Sequence, residues 1–173
     1  MTDDPAPSNL SGSPGRLNLR QIGFLIAIVV LVLDQVSKWL ILTQAMRPPQ
    51  VIEVTPFFNL VLGWNRGVSF GLFHSESPVN VIVLTGIALV IVIGLGVWLW
   101  RTDLRWTAIS VGLIIGGAIG NVADRLRFGA VVDFLDFHVS GYHWPAFNVA
   151  DSAIVVGAVM LILESLFDGR EKS

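Results

Sequence analysis

The sequence contains no cysteine. That absence removes disulfides, thiolate catalysis, iron–sulfur clusters and cysteine-ligated zinc, although it leaves the redox compartment open. Charge is scarce as well: 14% of the 173 residues are Asp, Glu, Lys or Arg, against about 25% in a typical soluble domain. With 53% hydrophobic residues and a mean hydropathy of +0.70, a water-soluble enzyme is disfavoured. Positive charge is not in excess either, with 11 Lys plus Arg against 13 Asp plus Glu, so no nucleic-acid partner is expected. What the chain does have is long apolar runs, which make it a polytopic α-helical membrane protein.

Four such runs are legible. Residues 1–18 read as a flexible tail rich in Pro, Gly, Ser and Asn, without a convincing secretory cleavage site. Gln21 to Leu33 is uncharged and continues through Asp34 and Lys38 to Leu42, a helix of about 30 Å. Ser77 to Trp100 carries no charge at all except for its flanks, and Trp106 to Ala123 sets Gly112, Gly116, Gly117 and Gly120 among apolar residues. The spacings Gly112 to Gly116 and Gly116 to Gly120 place small residues on one helical face, where a second helix can approach closely. Phe147 to Phe167, interrupted by Asp151 and Glu164, is the fourth run. The predicted organisation is a single membrane domain over residues 19–167, with outer segments 43–76 and 126–146 and a short tail at 168–173.

Basic residues orient the spans. Arg16 and Arg20, the tight link with Arg101 and Arg105, and Arg170 with Lys172 are assigned to the cytoplasm, so both termini are cytoplasmic. Lys38, Arg47, Arg66, Arg125 and Arg127 fall toward the other side, and the bias therefore rests on the link and the tails. The first outer segment contains Val51, Ile52, Val54, Phe57, Phe58 and Leu60 through Trp64, broken by Pro56 and glycines. This pattern predicts short strands, hence a small extracytoplasmic β-sheet between the first and second spans, because open strand edges do not survive in hydrocarbon.

Five acids lie close to membrane depth: Asp34, Asp124, Asp133, Asp136 and Asp151. Such groups are expensive unless paired, wet or functional. Asn121, Asp124 and Arg125 suggest a polar network at a helix end in which Arg125 neutralises an acid. Asp133 follows the third span and Asp151 begins the fourth, so antiparallel spans bring both to one height. Two close aspartates share a proton and supply a general base beside a general acid. On the residues alone, paired-aspartate hydrolysis, a proton or ion pathway, a metal site and a structural polar seam all remain open. The metal reading is weakest, since His74, His138 and His143 lack ligand spacing.

Five ordered patches then stand out: Asp34-Gln35-Val36-Ser37-Lys38; Asn65-Arg66-Gly67-Val68-Ser69-Phe70; Gly117 through Arg125; Val131-Val132-Asp133-Phe134; and Phe147-Asn148-Val149-Ala150-Asp151-Ser152. Together they closely resemble the bacterial lipoprotein signal peptidase family, also called signal peptidase II, from about residue 20 to 167. The resemblance implies that Asp133 and Asp151 are the catalytic pair. It implies a supporting or substrate-binding role for Asp34, Lys38, Asn65, Asn121, Asp124, Arg125 and Asn148. It further implies an aspartic endopeptidase acting as a monomer in the bacterial inner membrane, with no cofactor or metal. Membrane lipids and a diacylglyceryl-modified prolipoprotein would be its partners, the latter cut before the lipidated cysteine near the outer membrane surface. Val68 and Ser69 depart from the alanines that this family often carries after its glycine. Asp136 is the tempting false partner for Asp133, and the resemblance favours Asp151 instead. The second outer segment, with Phe137, His138, Tyr142, His143 and Trp144, is expected to cover the bound peptide.

Overall fold

A computed structural model describes residues 18–67 and 78–168. The tail before residue 18, Val68, Ser69, His74, Arg170 and Lys172 lie outside the described residues. Among the described residues, four helices are long and apolar enough to cross a membrane, and the protein is a multi-pass membrane protein. Helix α1 (Leu19–Leu40) opens with a capping box, in which Asn18 accepts from the Gln21 backbone N–H and the Gln21 side chain accepts from the Asn18 N–H, both at 2.9 Å. It runs on into a π-helical turn, Ile41–Ala45. Helices α2 (Pro78–Arg101) and α3 (Arg105–Phe128) follow, and α4 (Val149–Asp168) closes the bundle. Helix α3 ends at Gly129, whose φ of 70° suits a residue without a Cβ and whose N–H reaches Arg125 O at 3.0 Å.

Helix α3 is the axle of the bundle. It packs on α1, α2 and α4 and is the most buried of the four, whereas α2 turns almost all of its apolar surface outward. Without a hydrophobic drive between helices in lipid, close packing has to come from small residues. The α3 glycines supply it on two faces. A Cβ at Gly112 would collide with Gly23 O of α1, and one at Gly116 would lie 2.5 Å from Ala27 O. One at Gly117 would strike Ala150 O of α4, and Gly157 of α4 repays the contact against Ser110 O of α3. The expected role of this glycine face in packing is met. Ala27, Leu99, Ala108, Val111 and Ile115 fill the core where α1, α2 and α3 meet.

At one end of the bundle sits a four-stranded antiparallel sheet in the order β1-β2-β3-β4. Strands β1 (Ile52–Thr55) and β2 (Phe58–Asn65) come from the segment between α1 and α2, where a sheet was expected. Strands β3 (Val131–Val139) and β4 (Tyr142–His143) come from the segment between α3 and α4. That second segment is therefore joined to the sheet through its two strands. Between Leu60 and Gly63 the β2–β3 register slips, from Leu60↔Leu135 to Gly63↔Asp133, which is a β-bulge beside Asp133. Ile41, Met46 and Phe134 form the small core beneath the sheet.

The glycine contacts predict opposite outcomes for two alanine substitutions. Alanine favours a helix over glycine by up to about 1 kcal/mol, so Gly94→Ala, where nothing lies within 4 Å, should leave the melting temperature in detergent unchanged or raised. Gly116→Ala should lower stability by about 1–3 kcal/mol through overpacking. Equal melting temperatures for the two variants would remove the close-approach role of Gly116.

Candidate active site

The site begins behind itself, at a lysine. Lys38 Nζ lies 2.8 Å from Asp34 Oδ2, one helical turn away on α1, and 2.8 Å from Asp124 Oδ2 on α3. All three residues are buried, at 2%, 0% and 1% exposure. A buried charge must be paired and hydrogen-bonded to persist. Here Gln35 Nε2 donates to Asp34 Oδ2 at 3.1 Å and to Asp124 Oδ1 at 3.0 Å, and Lys38 also reaches Asn121 Oδ1 at 3.2 Å. Gly120 makes this convergence possible, because a Cβ there would come 2.5 Å from Asp34 Oδ2.

Both carboxylates of this ion cluster also reach forward. Asp34 Oδ1 accepts the Ala150 N–H at 3.0 Å, and Asp124 Oδ2 accepts the Val132 N–H at 3.0 Å. Ala150 precedes Asp151 and Val132 precedes Asp133. Each expected catalytic acid is thus held through the backbone of its neighbour by one carboxylate of the Lys38 cluster.

Three carboxamides then fix the two acids directly. Asn65 Nδ2 donates to Asp133 Oδ2 at 3.0 Å, and Asn148 Nδ2 donates to Asp133 Oδ1 at 2.8 Å. Asn65 lies opposite Val131 in the register, so it meets Asp133 as a diagonal cross-strand neighbour. Asn148 is the N-cap of α4: its Oδ1 accepts the Asp151 N–H at 2.9 Å while its amide reaches Asp133. Asn121 Nδ2 donates to Asp151 Oδ1 at 2.7 Å. Burial pushes the Asp133 carboxyl up, and the charge of nearby Asp151 adds to the effect. The amides of Asn65 and Asn148 and the field of Lys38 oppose them, and the result is about 7.

Asp133 is buried, whereas Asp151 is half-buried and lines two cavities. One, of about 250 Å³, holds Asn65, Asn121 and Arg125 at its polar end and Leu84 and Ile87 of α2 at its apolar end. The other, of about 360 Å³, is walled by Trp144, Phe147, Val155 and Val156. A water or a peptide carbonyl can therefore approach Asp151 from a polar side and an apolar group from the other.

All nine residues expected at the site converge there. Arg125 was expected to neutralise an acid: Asp124 has Lys38 as its ion-pair partner, and Arg125 lies close enough to Asp151, Asp133 and Asp124 for its charge to act on all three. The next residue on a helix points about 100° away. Asp124 thus faces α1, while Arg125 faces the cavity of Asp151 and keeps its Nε buried without a partner. Asp136 does not join: on a strand, side chains three apart lie on opposite faces. One contributor, Gln35, was not singled out from the sequence, although its amide in an apolar helix was the available signal. Away from the site, Asn59 joins His143 at Asp136, where only the alternation of the strands pointed to a shared face.

The family model described as signal peptidase (SPase) II matches residues 26–167. A lipoprotein signal peptidase of Rhodopseudomonas palustris (strain TIE-1) is 45% identical over 151 residues, covering 84% of this chain and 92% of its own. One of Methylorubrum extorquens (strain PA1) is 46% identical over 145 residues, covering 83% and 85%. A solved structure described as a bacterial membrane enzyme obtained by the in meso method at 2.3 Å resolution is also similar. It superposes with a TM-score of 0.76 at 33% identity, covering 87% of this chain and 91% of that one.

Lys38→Met should expose how much rests on the ion cluster. Removing one partner of a buried ion pair costs about 3–5 kcal/mol, and here two carboxylates lose their cation. A large drop in melting temperature is expected, and Lys38→Met combined with Asp34→Asn and Asp124→Asn should recover part of it. Wild-type stability in the single mutant would show that the cluster carries no such weight.

Proposed function

The chain belongs to the signal peptidase II family, and from that membership and the site geometry we propose that Asp133 and Asp151 are the catalytic pair with which it cleaves prolipoproteins. It is an intramembrane aspartic endopeptidase that removes signal peptides from diacylglyceryl-modified prolipoproteins, cutting immediately before the lipidated cysteine. The observation that carries the assignment of the pair is the double grip on it. The neighbours of both acids are tied to one buried lysine cluster, and both carboxylates are oriented by carboxamides instead of cations.

Carboxamides matter because they hold a carboxylate without pinning its charge. A carboxyl at Asp133 that titrates near 7, beside a second carboxylate, lets the pair hold one proton at neutral pH. The ionised member takes a proton from a water placed between the two, and that water attacks the scissile carbonyl carbon. The protonated member donates to the carbonyl oxygen, and a proton later passes to the departing amine. Asn65, Asn121 and Asn148 keep the carboxyl planes aligned through the exchange, and Arg125 faces the same cavity as a donor for a peptide carbonyl.

The architecture suits a substrate that arrives from the bilayer. A signal helix and acyl chains travel laterally, and the apolar cavity along α4 opens from Asp151 toward Val155 and Val156. Orientation follows from the arginines: Arg101 ends α2 and Arg105 begins α3, so the tight link is cytoplasmic and the opposite end, with the sheet and both aspartates, lies at the outer surface of the inner membrane. Residues 19–167 then form one catalytic domain with cytoplasmic tails at both ends.

Reconstituted wild-type protein should cleave a purified diacylglyceryl-modified prolipoprotein before its modified cysteine. Asp133→Asn and Asp151→Asn, each shown to be folded and inserted, should lose most turnover, by about 10³-fold or more. Substantial turnover in either folded variant would overturn the pair. The same assay gives the pH dependence. Because the Asp133 carboxyl is raised, its proton is present below about pH 7 and lost above it. Accordingly kcat/KM should fall on the alkaline side with an apparent pKa near 7 belonging to the pair. A profile flat from pH 6 to 9 would contradict the shared proton.

A further inference from the structure

One buried carboxylate has no place in the chemistry above. Asp136 is 6% exposed, on the face of β3 opposite Asp133. It accepts from Asn59 Nδ2 of β2 at 3.0 Å, and His143 Nδ1 of β4 lies 2.8 Å and 2.9 Å from its two oxygens. Burial alone would raise the Asp136 carboxyl, but the hydrogen bonds of His143 and Asn59 and the nearness of both imidazoles hold it below the usual carboxylate range. The His143 ring also stacks on His138, with centroids 4.9 Å apart.

This cluster spans three strands at the place where the sheet is least able to hold itself. Strand β4 has two residues and pairs with β3 only at His138↔His143 and Val139↔Tyr142. So short a ladder is marginal by itself, and Tyr142 and Trp144 beside it are exposed and add no core. Asp136 supplies the missing tie, since a buried anion left without its donors is costly. On the other face of the same strands, Phe137 contacts Phe58 with centroids 4.8 Å apart and stacks on Phe147 at 5.9 Å. Strand alternation puts Phe137 on the same face as Asp133. Phe57, Phe137, Tyr142, His143 and Trp144 line an open groove of about 400 Å³ at the edge of the sheet.

We propose that Asp136, His143 and Asn59 form a positioning clasp that holds the β3–β4 hairpin as a wall against which the extended substrate peptide is captured. This rests on the endopeptidase reading above. The clasp acts on capture and not on the chemical step, because the hairpin is insulated from the aspartate pair. Phe147 N donates to Leu135 O at 3.1 Å, and Phe147 O accepts from Phe134 N at 3.0 Å and Leu135 N at 2.8 Å. Those bonds lock the chain between the hairpin and Asn148, so loosening β4 moves the wall and leaves Asp133 and Asp151 where they are.

The test uses the full chain in the prolipoprotein cleavage assay. His143→Phe keeps a ring to stack on His138 and removes the donor to Asp136. His143→Asn loses the ring and keeps a donor near the Nδ1 position. His143→Phe should raise KM about tenfold, the size of a lost charge-assisted hydrogen bond, and leave kcat within about twofold. His143→Asn should restore most of KM. Unchanged KM in His143→Phe, a fall in kcat at constant KM, or a His143→Asn variant as impaired as His143→Phe would each overturn the clasp. Should His143→Phe show no thermal unfolding transition, Asn59→Ala, which removes the second donor, is judged by the same criterion. Failure of the wild type to cleave would instead sink the endopeptidase reading, and the clasp with it.

Discussion

The sheet end of this protein depends on one ammonium group kept away from water between two carboxylates. Lys38 cannot leave Asp34 and Asp124 without stranding buried charge, and they cannot leave it. Because the two acids come from different helices and spend their other lone pairs on Ala150 N–H and Val132 N–H, this single ion cluster joins α1, α3, α4 and β3. Asp151 and Asp133 are the next residues along. Their separation is therefore set by backbone already anchored to a cluster that has its own counter-ion.

The distribution of charge and amide across the site has a physical logic. A lysine placed directly against Asp133 or Asp151 would favour the ionised form and suppress proton exchange. Set one layer back and neutralised by other acids, it steadies the geometry while its field on Asp133 stays weaker than burial and the repulsion of Asp151. Contact with the pair is left to Asn65, Asn121 and Asn148, which orient without neutralising.

The helices were legible because a bilayer demands uninterrupted apolar length, and the glycines of α3 because close packing in lipid leaves few other choices. The order of five short patches also picked out Asp133, Asp151 and the residues that the fold gathers around them. What stayed hidden was tertiary. Asp124 has Arg125 beside it in sequence and Lys38 beside it in space, and nothing local to α3 reveals which way around the helix an acid turns. The hairpin of β3 and β4 was hidden for a different reason: two residues are too few to carry a strand pattern, and the polar residues at Asp136 and His138 read as loop. Asn59 shows the same limit, since its meaning depends on a strand from the far side of the bundle.

The backbone exchange between Leu135 and Phe147 divides the outer segment into two regimes. On one side of it, Asn148 and Asp151 are held to the close tolerance of the hydrogen bonds that join them to each other, to Asp133 and to Asn121. On the other, the turn at Ser140 and Gly141, with φ of 50° and 84°, and the exposed rim around Tyr142 and Trp144 bear no part of that tolerance. The exchange stands between the rim and the aspartates, and of the rim residues Trp144 alone also walls a cavity that Asp151 lines. The enzyme thus separates the part of itself that must stay constant for hydrolysis from the part that is free to diverge with the precursors it meets.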